Sequence, residues 1–166
     1  MIGPAVEELL LEQDTFLIPA ENVANLNATH PLSHALLVLS KVKYSKIPVL
    51  DKEDVLVGLV SLSDIVEQMM DLSEVSMEKL AEKTVADVME TQVATIPEKW
   101  ELEDVLHLLV DESFLSVVDE KGCFKGIITR KEILKAVNHM VHELERRNIV
   151  LPRLDPQASD PKLKVG

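Results

Sequence analysis

Two stretches of this chain place a hydroxyl three residues after a glycine and three residues before a carboxylate: Gly58, Ser61 and Asp64, then Gly126, Thr129 and Glu132. A hydroxyl at the start of a helix can accept from the free N–H groups there, or donate to a ribose or phosphate oxygen. The later stretch adds Arg130, whose planar fork suits a phosphate, and Lys131; the earlier one has Leu62 and Ser63 at those places. The chemistry on offer is binding rather than turnover. Plainer readings stand beside it: Thr129 and Ser61 as helix caps, Arg130 as a solvated or ion-paired surface residue. No nucleophile–base pair and no phosphate-cradling glycine loop is visible, so no catalytic residue is assigned. His30 with His34, and His139 with His142, lack a third ligand nearby in sequence, so no metal residue is assigned. Cys123 has no identifiable base beside it.

An internal repeat carries these residues. Val23-Ala24-Asn25-Leu26 matches Val93-Ala94-Thr95-Ile96 at a distance of 70 residues. Ile47-Pro48-Val49-Leu50-Asp51 matches Leu115-Ser116-Val117-Val118-Asp119, and residues 58–65 match 126–133, both at a distance of 68. Each copy reads as strand, helix, strand, turn, strand, helix. Leu32, Ala35, Leu36 and Leu39 recur at helical spacing, as do Leu102, Val105, Leu106 and Leu109. The runs at 47–50 and 56–60 are strand-length and β-branched, with a polar turn between them; Gly122 can take a positive φ in the matching turn. The fold class is α/β (α+β): two βαββα units, each left with an apolar face that only the other can cover. The expected organisation is a helix over residues 1–15, a first repeat over 16–70 and a linker over 71–83 that touches the core through Met77 and Leu80. A second repeat then spans 84–142, with the end of the last helix at 143–151 and a polar, Pro-rich disordered tail over 152–166.

The formal charge of -12, from 29 acidic and 17 basic side chains, repels a phosphate backbone, so no DNA or RNA partner is expected. No apolar run is long enough to span a bilayer and no secretory signal is visible. With the lone Cys123, these features lead to the expectation of a cytoplasmic protein without a membrane partner. Acidic clusters such as Glu101, Glu103 and Asp104 solvate outward helix faces or form a docking surface for a basic partner.

The stretch Lys43-Tyr44-Ser45-Lys46-Ile47-Pro48-Val49 and the duplicated glycine–hydroxyl–acid motif resemble the cystathionine-beta-synthase (CBS) domain family over roughly residues 16–142. The resemblance implies a pseudo-twofold pair of repeats, a Bateman module, and a flat homodimer of two modules. Met69, Met70, Val137, Met140 and Val141 are the apolar edges expected at that dimer interface. Within the family the chain is similar to the small stand-alone CBS proteins of Gram-positive bacteria that bind cyclic di-AMP. That similarity runs through residues 16–24 and 34–39, Tyr44, residues 47–51 and residues 126–130. It implies a regulated protein partner, a (p)ppGpp synthetase/hydrolase or pyruvate carboxylase, and no cofactor beyond the regulatory ligand.

In CBS pairs each cleft joins the early strands of one copy to the glycine–hydroxyl–acid loop of the other. The first cleft is then expected to combine Asn22, Val23, Ala24, Leu26, Tyr44, Ile47, Pro48 and Val49 with Thr129, Arg130 and Glu132. Small Ala24 lets a base approach the backbone, Ile47 and Val49 sandwich the ring, and Arg130 takes the phosphate. Tyr44 reads equally well as a stacking group and as ordinary packing. The loop in this family typically ends in Asp; Glu132 is a methylene longer, and with Arg130 it favours a cyclic dinucleotide over a linear one. The second cleft is expected to use Thr95, Phe114 and Leu115 with Ser61 and Asp64 and, lacking a cation, to be empty or weak or to take an uncharged adenosine-like group. The alternatives are an AMP/ADP/ATP sensor working through the Asp64 cleft and a ligand-free interaction module.

Overall fold

The computed structural model describes residues 2–11, 16–70 and 77–147. Helix α1 (Pro4–Leu11) and strand β1 (Leu17–Pro19) lead into β2 (Leu26–Asn27), α2 (Leu32–Lys41), β3 (Lys46–Leu50), β4 (Leu56–Ser61) and α3 (Leu62–Met69). A short helix α4 (Glu78–Glu82) opens the second half. It is followed by β5 (Thr95–Pro97), α5 (Leu102–Leu108), β6 (Phe114–Val118), β7 (Phe124–Thr129) and the 18-residue α6 (Arg130–Arg147). The expected order of elements is therefore present in both copies. α2 forms because Leu32, Ala35 and Leu39 line one buried face, and it crosses over to bring β2 and β3 together in parallel. β3 and β4 then form an antiparallel hairpin, and β5, β6 and β7 repeat the plan.

One feature of the topology departs from two self-contained units. β1 leaves its own repeat and pairs antiparallel with β7, making the second sheet four-stranded in the order β1-β7-β6-β5. Glu90, which leads the second repeat, crosses the other way and bridges Leu59 of β4. The paired motif glycines sit where these crossings occur. A Cβ on Gly58 would lie 2.7 Å from Glu90 O, and one on Gly126 would run into Ile18 O. Both glycines are there because another backbone passes too close for any side chain.

The hairpin turns also hold the repeats together. Asp51 Oδ1 accepts from the N–H groups of Glu53 and Val55, and Asp119 Oδ1 accepts from those of Lys121 and Cys123. The two turns then bond to each other, Leu56 N–H to Gly122 O at 3.0 Å and Phe124 N–H to Asp54 O at 2.9 Å. Gly122, at φ +82°, takes the positive value expected of it. Between the sheets, Val23, Leu50, Leu59, Phe114, Phe124 and Ile127 form an apolar seam, flanked by one core per repeat.

Helices α1 and α4 are counterparts. Leu80 of α4 is buried in the first core, and Leu10 of α1 in the second. Met77, expected beside Leu80, is instead exposed, because α4 turns only Leu80 inward. Of the side chains assigned to the dimer edge, Met70 and Val141 are exposed. Met69, Val137 and Met140 are half-buried against their own cores, which the helical stripe they share with Ile65, Ile133 and Ala136 explains. Residues 12–15, 71–76 and the end of the chain from 148, including the expected tail, lie outside the described residues.

Candidate functional site

A cleft of about 630 Å³ opens between the repeats. The segment after β1 contributes Asn22 and Ala24, with Ile18 behind them. The loop from α2 to β3 supplies Val42, Lys43, Tyr44 and Ser45; Ser113 and Phe114 come from the start of β6. Thr129, Lys131 and Glu132 close it at the N-terminal end of α6. The volume is that of a small-molecule site. Tyr44 and Phe114 meet edge-on, with centroids 6.5 Å apart and planes at 63°, so one apolar wall is built from both repeats.

The polar end lies beside that wall, Thr129 being the cross-strand partner of Phe114. Thr129 is buried; its Oγ1 accepts from Glu132 N–H at 3.2 Å as a helix cap, and the residue also lines the cleft. Lys131 is exposed and makes no ion pair among the described residues. It stands in the first turn of α6, where the helix dipole favours an anion. Glu132 lines the cleft but binds Lys135 at 2.8 Å along its own helix. That pairing draws the carboxylate away from acting as a ribose acceptor.

Arg130 does not line this cleft, a correction to its expected phosphate role. Its Nε donates to Leu109 O at 2.8 Å, and its Nη2 to Val110 O at 3.2 Å and Glu112 O at 2.9 Å. These are carbonyls of the turn that follows α5, which a guanidinium fork satisfies well. Adjacent helical residues project about 100° apart, so the cap that points residue 130 at α5 turns residue 131 into the cleft. Lys131 was the residue that sequence reasoning passed over for this place. The signal for it was the helix start at Thr129, read as a direction rather than a motif.

Five other expected residues are buried. Leu26, Ile47 and Val49 are sealed beneath the first repeat and Val23 lies in the seam. Pro48, between Ile47 and Val49 on β3, is also buried. For Ile47, Pro48 and Val49 the physical reason is that β3 is the middle strand of its sheet, covered on both faces. Asn22, Ala24, Tyr44, Thr129 and Glu132 are the expected residues that come together. Ile18 and Ser45 join them from the stretches that carry the family resemblance, and Val42 and Ser113 without any motif to mark them.

The matching second cleft is about 30 Å³, lined by Lys46, Leu59, Glu90, Gln92, Val93, Ala94, Glu112, Phe114 and Ser116. Lys46 Nζ lies 2.8 Å from Glu90 Oε2, and this bond, with the fields of Glu90, Glu112 and Asp64, raises the Lys46 pKa. Ser61 and Asp64 are turned on one another instead: Ser61 N–H and Oγ–H both donate to Asp64 Oδ2, at 2.8 and 2.6 Å. Asp64 N–H returns a bond to Ser61 Oγ at 3.2 Å, a complete capping box. Of the other residues expected here, Leu115 is core and Thr95 faces a separate surface hollow beside Pro97 and Val118. Phe114 touches both clefts.

Among the described residues, no cluster of three or more His, Cys, Asp or Glu side chains could hold a metal ion. No described helix is long and apolar enough to cross a membrane.

Two sheets that exchange leading segments about a pseudo-twofold, with a cleft at the seam, define a paired regulatory module. The CBS domain model matches residues 15–71 and 85–139, and the chain belongs to the CBS-domain family as a tandem pair. It is 33% identical to cyclic di-AMP receptor B of Bacillus subtilis over 131 residues, 79% of this chain and 89% of that protein. The crystal structure of CbpB from Streptococcus agalactiae has a TM-score of 0.80 at 35% identity, covering 92% of this chain and 96% of that one. The structure of Listeria monocytogenes CbpB in complex with c-di-AMP has a TM-score of 0.72 at 43% identity, covering 77% and 96%.

Proposed function

We propose that the chain is a non-catalytic regulator that binds cyclic di-AMP in the 630 Å³ cleft and changes which surface it offers to a partner protein. Tyr44 and Phe114 pack against an adenine, Asn22 and Ala24 run along its edge, and Thr129 and Lys131 receive a phosphate. The observation that carries this reading is an apolar aromatic wall beside Lys131, which makes no ion pair among the described residues, at the start of α6. The cyclic di-AMP relatives at 33% and 43% identity support the same ligand. In this reading the protein works as a cytoplasmic homodimer on a partner such as a (p)ppGpp synthetase/hydrolase or pyruvate carboxylase. Signalling then requires that the ligand favour one conformation or exposed surface over another.

The linear-nucleotide alternative is disfavoured: the Asp64 carboxylate is held in its own cap, and the space beside it is about 30 Å³. Calorimetric titration with cyclic di-AMP, AMP, ADP and ATP, on the wild type, Lys131→Ala and Arg130→Ala, tests the proposal. Cyclic di-AMP should bind tightest, about tenfold or more weaker in Lys131→Ala, since a charge-assisted bond is lost. Preferred binding of AMP or ATP, indifferent to Lys131→Ala, would sink it.

A further inference from the structure

We propose that the hollow at the start of α5 is a docking groove for a basic segment of a partner protein, in which arginine side chains flank an apolar one. Its biological role rests on the regulator function proposed above, its chemistry on residues of its own. At about 750 Å³ it is larger than the cleft between the repeats, and the two share no lining residue. Pro97, Trp100 and Leu108 give it an apolar floor, and Glu101, Glu103 and Asp104 set carboxylates around that floor. Lys99 is the one lysine of the lining and His107 the one histidine, so the carboxylates decide the sign of the rim.

Trp100 is the single tryptophan of the chain. It is half-buried, its ring tilted at 46° to that of Phe16 with centroids 6.2 Å apart, and the residue still lines the groove. Tryptophan and arginine are the side chains most enriched where a protein contact carries its binding energy. Glu101, just before α5, and Asp104 and Leu108 on it follow at helical spacing and so share one side of the helix. At 1.5 Å per residue that stripe is about 10 Å long, which matches about three extended residues of a guest. Neither Glu101 nor Asp104 makes an ion pair among the described residues. Exposed carboxylates beside an indole suit a guanidinium, whose fork grips the carboxylate while its flat face stacks on the ring. An acidic segment is repelled here, and the chain's net charge of -12 steers a basic one inward.

The test follows Trp100 fluorescence in the full chain as it is titrated with a short peptide of alternating arginine and leucine, and with its glutamate counterpart. The arginine peptide should shift the emission and saturate; the glutamate peptide should leave it unmoved. Glu101→Gln/Asp104→Asn, which keeps the side-chain shapes, should bind the arginine peptide about tenfold or more weaker. Glu78→Gln/Glu82→Gln removes the same charge from α4, on the first repeat's core, and should stay within about twofold of the wild type because only the screened field changes. An unmoved emission with the arginine peptide, equal losses in the two variants, or equal binding of the glutamate peptide would overturn the proposal. So would a fall in molar mass by light scattering as the peptide binds, which would give the groove to a second copy of the chain. Cyclic di-AMP is titrated into the wild type alongside. Binding of the arginine peptide at Trp100 without binding of cyclic di-AMP would uphold the groove and refute the ligand proposed for the cleft.

Discussion

The two clefts are built on one backbone plan and furnished in opposite ways. Positions 68 residues apart carry Tyr44 and Glu112, Lys46 and Phe114, Ser63 and Lys131, Asp64 and Glu132. In the first cleft an aromatic pair and Lys131, unpaired among the described residues, line about 630 Å³; in the second a lysine is paired with a glutamate beside about 30 Å³. What both repeats retain is the scaffold: a glycine under a crossing backbone, an Asp-capped hairpin and a hydroxyl at the start of the closing helix. The duplication kept what holds the chain in shape, and the side chains facing the gaps diverged. One cleft could then specialise, because ligand contacts are few and the scaffold does not depend on them.

The scaffold glycines give the sharpest way to break this comparison. Gly126→Ala, where both the positive φ of +151° and Ile18 O oppose a Cβ, should cost about 3 kcal/mol in urea-induced unfolding. Gly58→Ala meets Glu90 O at 2.7 Å and the Met89 side chain, which can move aside, so about 1–2 kcal/mol is expected. Equal costs would show that the two crossings are held alike.

Exchange of roles between neighbours is the next test. Arg130→Ala should lose about 1–2 kcal/mol of stability, through the carbonyls it leaves unpaired, with cyclic di-AMP affinity within about twofold of wild type. Lys131→Ala should do the reverse, with its midpoint in urea unmoved and affinity lowered as above. A large affinity loss in Arg130→Ala would return the phosphate to the guanidinium.

The smallest effect concerns pH. The bond to Glu90 raises the Lys46 pKa above 10.5. The stabilisation this gives is fully present below the unfolded lysine value and is lost as pH rises through the folded one. Wild type and Lys46→Met should therefore differ slightly at pH 9 and converge above the folded pKa, read from unfolding midpoints. A gap that persists in strong alkali would assign the difference to packing of the stem instead of the charge.

Much of this protein was legible in its sequence. Repeat spacing and helical periodicity set the order of elements, because a buried helix face and a central strand each impose their own apolar period. Turn chemistry was equally local: Asp51, Asp119, Gly122, Ser61 and Thr129 act within a few residues of themselves. Tertiary structure alone decided that β1 crosses to β7 and Glu90 to Leu59, since antiparallel pairing at a sheet edge carries no mark in either strand. It also decided which cation reaches the cleft. Arg130 and Lys131 are adjacent in sequence, but the carbonyls of the turn after α5 claim one of them, and no pattern within the motif says that those carbonyls lie within reach.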